Sequence, residues 1–481
     1  MTEPIDRFRS WDDTLASVNA IAAEYLASLP TRPVSYATTV EELAAALDET
    51  LPETGCDPAE AVSEWFRRAE RGIVASSGPR FFGYVYGGST PAALAGDWLA
   101  SAIDQSAGVW AGSPAAAQTE EVVARWLKEL FHLPGDWTGT LTSGATMSNL
   151  VGLAAARQWA GRWLGFDPVE DGLAAGPPIP ILSSTEIHAS AVKALMTLGF
   201  GRAGVRKLPA PGGRLDVPAL AATLAASEGP VIVVANAGEV NTGAFDDLRG
   251  IADLCRAHRP GAWLHVDGAF GLFAAASPRL RHLVDGIELA DSVAADGHKW
   301  LNVPYDCGFA FVRDVEVLRD AFSVSGAYIA PAPGSGIDLH LHVPEMSRRF
   351  RGLAAWCALR AYGREGYRQL VERCVDNAQQ FATWVKATPG LELLAPAEFN
   401  IVCFRYAPDV LDAAGIDAFN RRAVAAIQAD GRVFVTGTVW QGKAAIRPAF
   451  DNWSTMPEDV DILSQAVAQI GARLLKQSTD A

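Results

Sequence analysis

Four short segments of this chain carry side chains whose types and positions could do chemistry together. The first is Thr142-Ser143-Gly144-Ala145-Thr146-Met147-Ser148-Asn149, a small-residue turn between a strand candidate and a helix. The free N–H groups of a helix N-terminus attract an anion, and small side chains let a phosphate reach the backbone. The same residues also read as an ordinary strand-to-helix turn capped by Ser or Thr. The second segment, Ser183-Ser184-Thr185-Glu186-Ile187-His188, puts an imidazole between a strand and a helix. That edge is where α/β sheets bind ligands; the plainer account is a His that caps its helix. In the third, His265-Val266-Asp267-Gly268-Ala269, strand alternation puts His265 and Asp267 on one face. A carboxylate at the end of a buried strand is costly without a donor or cation to meet it, and an N-cap or salt-bridge role would also meet that need. The fourth is Asp296-Gly297-His298-Lys299-Trp300, just past another strand. A lysine desolvated at such an edge becomes the nucleophile that Schiff-base chemistry requires. The alternative is a surface loop lysine.

These segments need a scaffold, and the sequence pattern describes one. Residues 11–29 have helix-period apolar spacing, and residues 39–47 open with a capping-box pattern, Thr39 followed by Glu42. Residues 77–88 are rich in Gly and aromatics and read as a shaped loop. From about residue 115 to 315, helices (120–131, 147–159, 189–199, 218–227, 248–258) alternate with short β-rich runs (138–141, 179–183, 231–235, 263–266, 292–295, 308–312). Alternation of this kind gives an α/β core with a mostly parallel sheet. Helices at 346–362 and 365–387 precede an α+β module. Its strands are expected at 391–394, 400–405, 433–437 and 444–448, and its helices at 414–429 and 457–476. Soft composition shifts divide the chain into 1–76, a helical arm; 77–345, a large α/β domain; and 346–481, a small α+β domain.

Composition limits the partners. The 481 residues are 49% hydrophobic, and 55 acidic against 40 basic residues leave a net charge of −15. That balance argues against broad binding to nucleic acid or an anionic membrane, though not against one local anion pocket. The six cysteines form no C-x-x-C pair, so no metal site is expected, and scattered thiols suit a reducing cytosol. No basic region followed by an apolar run opens the chain, and no apolar run is long enough to span a bilayer. The expected location is cytoplasmic.

A helix N-terminus for a phosphate, a ring to stack, an acid for a pyridinium nitrogen and an amine for an aldehyde are the groups that pyridoxal 5'-phosphate (PLP) needs. Their order resembles the fold-type I, group II PLP-dependent amino acid decarboxylases, the family of aromatic-L-amino-acid decarboxylase. The resemblance extends to Gly78-Pro79-Arg80-Phe81-Phe82-Gly83-Tyr84, Arg348-Arg349-Phe350-Arg351-Gly352-Leu353 and Ile446-Arg447-Pro448. It implies a large domain built on a mostly parallel seven-stranded sheet, a homodimer with the active site at the subunit interface, and N-terminal arms packed across it. By the same resemblance, Lys299 binds the cofactor aldehyde, Asp267 keeps the ring nitrogen protonated, and His188 stacks on the ring and helps position the substrate carboxylate. Ser143, Gly144, Ala145, Thr146, Asp296 and His298 surround the phosphate, and Ala269 lies at the cofactor. The reaction implied is loss of carbon dioxide from an L-amino acid to give an amine.

Two departures from the family pattern matter. Where the family often has a run of Thr, this chain has Gly238-Glu239-Val240-Asn241-Thr242-Gly243, and Asn241 or Thr242 would replace the missing hydroxyl contact. The family's loop Tyr, which returns the proton to the substrate, is absent from residues 334–347, and Tyr328 lies earlier. His340 and His342 have suitable chemistry for that proton, and solvent-facing loop histidines are the plain alternative. Without the Tyr, oxygen-dependent aldehyde formation stays open, as do a carbon–carbon lyase and a non-catalytic PLP-binding scaffold. Arg80, Phe81, Phe82 and Tyr84 are the expected substrate contacts, with core packing accounting for Trp98 and Trp110. An aromatic or other neutral L-amino acid is favoured over glutamate or aspartate.

Overall fold

Short, fully buried strands set the architecture. In the computed structural model, which describes residues 11–324 and 336–479, a seven-stranded sheet runs in the order β1-β7-β6-β5-β4-β2-β3. The strands are β1 (Thr138–Thr142), β2 (Ile181–Ser184), β3 (Val205–Leu208), β4 (Val231–Asn236), β5 (Ala262–Asp267), β6 (Ser292–Asp296) and β7 (Gly308–Val312). The pairs among β2 to β6 are parallel, and β7 alone runs the other way, between β1 and β6. All residues of β4 and β7 are buried, as strands covered on both faces must be. The fold is therefore the expected fold type I arrangement.

The helices follow in chain order. An N-terminal segment holds α1 (Asp12–Ser28), α2 (Val40–Leu47) and α3 (Pro58–Ala69); Thr39 and Glu42 form the reciprocal capping box that opens α2. Next come α4 (Pro91–Ile103) and α5 (Pro114–Leu130). Pro at the first turn starts α5 six residues earlier than the apolar pattern indicates. Around the sheet lie α6 (Ala145–Leu164), α7 (Ala189–Thr197), α8 (Val217–Ala225), α9 (Leu248–Ala257) and α10 (Val315–Phe322). Beyond them, α11 (Gly352–Ala387) replaces the two separate helices expected, with a non-helical break at Gly363. It starts later than residue 346 because residues 346–351 run in irregular backbone. The chain ends with β8 (Leu391–Leu393), β9 (Phe404–Tyr406), α12 (Ala413–Asp430), β10 (Thr436–Trp440), β11 (Lys443–Arg447) and α13 (Pro457–Thr479). The four strands form an antiparallel sheet, β10-β11-β9-β8.

Edge strand β3 has no counterpart in the sequence reading, because its middle residues Arg206 and Lys207 are exposed charges, a common device for protecting a sheet edge. For the site, one consequence dominates. Strands β1, β2, β4, β5 and β6 all run in one direction, so the turns after them converge on one edge of the sheet, the edge where α/β proteins bind ligands.

Candidate active site

The geometry is built around Asp267, the last residue of β5. It is 4% exposed, and its carboxylate is met by donors on both oxygens. Oδ2 accepts from Asn149 Nδ2 at 3.0 Å, with the Ser190 hydroxyl at 3.5 Å; Oδ1 accepts from the Ala269 N–H at 3.2 Å. Asn149 lies one turn into α6, so helix period puts it on the same face as Ala145 at the helix start. Its other side-chain atom, Oδ1, lies 2.8 Å from His265 Nε2. Turned the other way, the amide would face Asp267 with its oxygen, so the carboxylate sets its orientation. His265 Nε2 must then donate and Nδ1 must accept, from the Ser292 hydroxyl at 2.8 Å. Ser292 Oγ in turn accepts from Trp263 Nε1 at 2.9 Å. Full burial pushes the His265 pKa down to about 4, which keeps it neutral in this chain of bonds. The shared face of His265 and Asp267 is thus a structural support for the acid.

His188 is the N-cap of α7. Its Nδ1 accepts from the Ser190 N–H at 3.2 Å and lies 2.7 Å from the Ser190 hydroxyl. The capping role and a role in the cavity therefore coexist. Burial lowers its pKa, against the opposing pull of Asp267.

Lys299 stands in the short helical turn Gly297–Leu301 that follows β6. Its ammonium is 2.9 Å from Asp296 Oδ2. Asp296 Oδ1 accepts from the N–H of Ala145, the first residue of α6, at 2.5 Å. Helix α6 has no side-chain cap. At Gly144 (φ +151°) an added Cβ would stand 3.2 Å from the His298 ring and 3.3 Å from Asp296 Oδ1. His298 Nδ1 bonds to the Cys307 carbonyl at 2.9 Å, and its ring stacks on Tyr305 at 4.2 Å. Burial lowers the His298 pKa below its usual value.

A cavity of about 180 Å³ joins His188, Asp267 and Lys299, while the expected phosphate residues Ser143, Gly144, Ala145, Thr146, Asp296 and His298 are not part of its lining. His188, Asp267, Ala269 and Lys299 line it, with Tyr84, Val85 and Tyr86 from the N-terminal loop and Arg447 from the end of β11. The rings of Tyr84 and Tyr86 stack at 5.0 Å. Gly87, at φ +68°, presses the same loop onto the lysine segment: a Cβ there would land on the Lys299 carbonyl and come within 2.7 Å of the His298 carbonyl. The Gly87 N–H donates to Asp451 Oδ2 at 2.7 Å, so the segment after β11 holds the loop in place. Burial raises the Asp451 pKa to about 6.

Residues 41–407 match the model of the pyridoxal-dependent decarboxylase conserved domain. This chain belongs to the pyridoxal-dependent decarboxylase family. The family's cofactor is PLP, and its members are carboxy-lyases, so this chain is a PLP-dependent decarboxylase. An aromatic-L-amino-acid decarboxylase of Bacillus atrophaeus is 30% identical over 447 residues, covering 91% of this chain and 90% of that one. A phenylacetaldehyde synthase of Arabidopsis thaliana is 27% identical, covering 84% of each. Among solved structures, an Oryza sativa TDC with PLP and tryptamine superposes with a TM-score of 0.90 at 26% identity, covering 98% of this chain and 100% of that one.

The donor set of the decarboxylase fits PLP. A helix N-terminus whose N-cap, Gly144, carries no side chain, an amine and a buried carboxylate held by neutral donors occupy one sheet edge; Asp296 accepts the first N–H of that helix, and Gly144 leaves room beside His298. Several residues expected at the site lie elsewhere. Arg80 donates to the Arg32 carbonyl at 2.8 Å, toward the arm. Phe81 stacks on Phe434 at 4.9 Å, and Phe82 packs in the core against Phe450 at 5.1 Å. Of the expected substrate contacts only Tyr84 lines the cavity, together with its neighbours Val85 and Tyr86; Tyr84 has φ +54°, so the loop follows no strand alternation. Asn241 and Thr242 are turned away as well. The Asn241 amide and N–H and the Thr242 hydroxyl and N–H all donate to the Glu239 carboxylate.

His340 and His342 sit in the 3₁₀ turn Leu339–His342 and are 2% exposed. They are not solvent-facing. His340 bonds to the Gly108 carbonyl at 3.2 Å, and His342 faces α5 and α10, pushed to a pKa of about 4 by burial. Neither reaches the cavity around Lys299. Tyr328 lies outside the described residues. Asn149, Ser190, Glu186 and Arg447 went unassigned in the sequence reading. Asn149 carried a signal in its one-turn spacing from Ala145, and Arg447 in its place within Ile446-Arg447-Pro448.

The decarboxylase should not tolerate a side chain at Gly87. Gly87→Ala is expected to lower kcat/KM at least about a hundredfold, the typical cost of displacing a reacting group by about 1 Å. Gly112→Ala, where nothing lies within 4 Å of the new methyl, should leave the rate unchanged. Steady-state carbon dioxide release measures both, and an active Gly87→Ala enzyme would contradict the contact.

Proposed function

We propose that the enzyme decarboxylates an L-amino acid with an aromatic or other neutral side chain, in the cavity around Lys299. The observation that carries this reading is the convergence of the Lys299 amine and the Asp267 carboxylate on one cavity, from the ends of adjacent strands. When bound, PLP supplies an aldehyde that holds the substrate amine and a ring that draws electrons from the bond to be broken. Lys299 is the amine that binds the aldehyde. Asp267 holds a proton on the ring nitrogen, and Asn149 and Ser190 hold Asp267. His188 would hold the ring from one face. The N-terminus of α6, from Ser143 through Thr146, receives the phosphate beside His298 and Asp296, and Ala269 leaves room beside the acid. Arg447 takes the substrate α-carboxylate. It is 5% exposed, its side chain's one hydrogen bond among the described residues goes to the Tyr84 carbonyl at 3.2 Å, and its Nε has no partner. Holding that carboxylate orients the bond to be broken.

A second outcome has specific support. Residues 334–347 contain no Tyr, and one relative is a phenylacetaldehyde synthase. Products made with and without oxygen separate amine from aldehyde. The subunit arrangement proposed is a homodimer with the site at the interface. Helix α1 buries none of its residues, and Trp98, expected in the core, is 41% exposed on an apolar groove that α1 and α4 form. Sedimentation should give twice the 51.1 kDa chain mass; a monomer at micromolar concentration would contradict it. A cytoplasmic location accords with six unpaired cysteines, and recovery from a secreted or membrane fraction would count against it.

The test of the site is borohydride trapping. Wild-type enzyme should fix PLP covalently at one site per chain, and Lys299→Ala should fix none. Arg447→Met should trap PLP normally yet raise KM for the amino acid about tenfold or more, the loss of one charged hydrogen bond. Trapping at equal stoichiometry in Lys299→Ala would overturn the assignment.

A further inference from the structure

The cavity holds two acids that decarboxylation does not use, and only one of them is free to meet a ligand. Five charged side chains line it: Glu186, Glu239, Asp267, Lys299 and Arg447. Three of them have roles in the reading above, on which this inference rests: Asp267 faces the ring nitrogen, Lys299 the aldehyde and Arg447 the α-carboxylate. Glu239 is engaged by its own turn. Its two oxygens accept four hydrogen bonds from Asn241 and Thr242, at 2.6 to 3.0 Å, which leaves it little capacity for a ligand.

Glu186 differs on each count. It lies on the turn leaving β2, two residues before His188, and is half-buried. Its carboxylate accepts one hydrogen bond, from the exposed Thr185 hydroxyl at 3.3 Å. No Lys, Arg or His pairs with it among the described residues. It is close enough to Glu239 to push that buried carboxyl further up. Among the described residues only Thr185 therefore uses this carboxylate, and Glu186 lines the same cavity as Lys299 and Arg447.

An uncommitted carboxylate in a partly desolvated cavity discriminates by charge and by hydrogen-bonding capacity. It repels an acidic side chain. It loses hydration without compensation against a hydrocarbon end. It gains a charge-assisted bond from an O–H, ring N–H or ammonium. The stacked faces of Tyr84 and Tyr86 complement this. They offer packing to a flat ring and an electron-rich surface to a cation.

We propose that Glu186 is the specificity residue of this decarboxylase, selecting L-amino acids whose side chain ends in a hydrogen-bond donor over the same skeleton ending in C–H or carboxylate. The class comprises hydroxylated or N–H-bearing aromatic amino acids and those with a terminal amine.

Matched pairs test it. L-tyrosine and L-phenylalanine differ by one hydroxyl, and L-lysine and L-norleucine by one amine. For each pair the holoenzyme is assayed for kcat/KM of carbon dioxide release. Substrate-induced change in cofactor absorbance gives the ratio of dissociation constants independently of turnover. Wild type should favour the donor member by about tenfold to a hundredfold, the range for one hydrogen bond to a charged group. Glu186→Leu should bring both ratios close to one. Glu186→Gln, which still accepts a hydrogen bond but carries no charge, should keep part of the tyrosine preference and lose that for lysine. Unchanged cofactor absorbance in both variants controls for folding. A wild-type enzyme indifferent to the donor, or a Glu186→Leu enzyme that keeps the wild-type ratios, would overturn the proposal. Absence of carbon dioxide from every amino acid would instead overturn the decarboxylase reading, and the binding ratios would still decide the role of Glu186.

Discussion

A carboxylate buried at the end of a central strand is the constraint on which the site depends. Leaving Asp267 unpaired would cost several kcal/mol, and the fold meets that cost with neutral donors. Asn149 comes from α6, Ser190 from α7 and the Ala269 N–H from the turn after β5. Each contact places an element. Asn149 can reach Asp267 only if α6 lies across the sheet beside β5, and that position puts the start of α6 next to Asp296 and Lys299. The buried, neutral His265 and the Ser292–Trp263 pair brace Asn149 from behind. All these supports are uncharged, so none of them forms an ion pair with the acid.

The second constraint is how tightly three distant stretches of chain meet at Lys299. The loop at Gly87 lies against the lysine backbone, and Asp451 after β11 holds that loop by its N–H. Asn302 Nδ2 donates to the carbonyls of Lys299 and Asp451, at 3.0 and 2.9 Å, tying the lysine turn to the same segment. Trp300 then packs its ring on Phe399 at 4.9 Å. The Lys299 amine is mounted on a turn fixed from both sides, which suits the preorganisation its proposed role needs. Even so, Tyr84 and Tyr86 are 49% and 36% exposed, so the aromatic wall is partly open.

How far the sequence revealed this depends on the range of each interaction. Strand ends were legible because alternation and burial are local. His188, Asp267 and Lys299 stand at the sheet edge where their positions after β-rich runs put them. The capping box at Thr39 and Glu42 was legible for the same reason. Side-chain partners were not. Asn149 meets Asp267 across 118 positions, and no local period encodes that. Arg80, Phe81 and Phe82 shared a motif with Tyr84, yet a loop without regular period gives no rule for which residue faces inward. Asn241 and Thr242 looked like replacement hydroxyl and amide donors, and Glu239 beside them takes both. His340 and His342 read as loop residues because nothing nearby reveals that α5 and α10 bury them.

The central proposal is that Asp267, held by uncharged neighbours, holds a proton on the cofactor ring. The most direct measurement is nitrogen NMR of enzyme reconstituted with PLP isotope-labelled at the ring nitrogen, followed across neutral and alkaline pH. The account predicts a protonated-ring signal that does not titrate in wild type and becomes the neutral-ring signal in Asp267→Ala. A neutral ring nitrogen in wild type, or an unchanged protonated signal after the substitution, would contradict it.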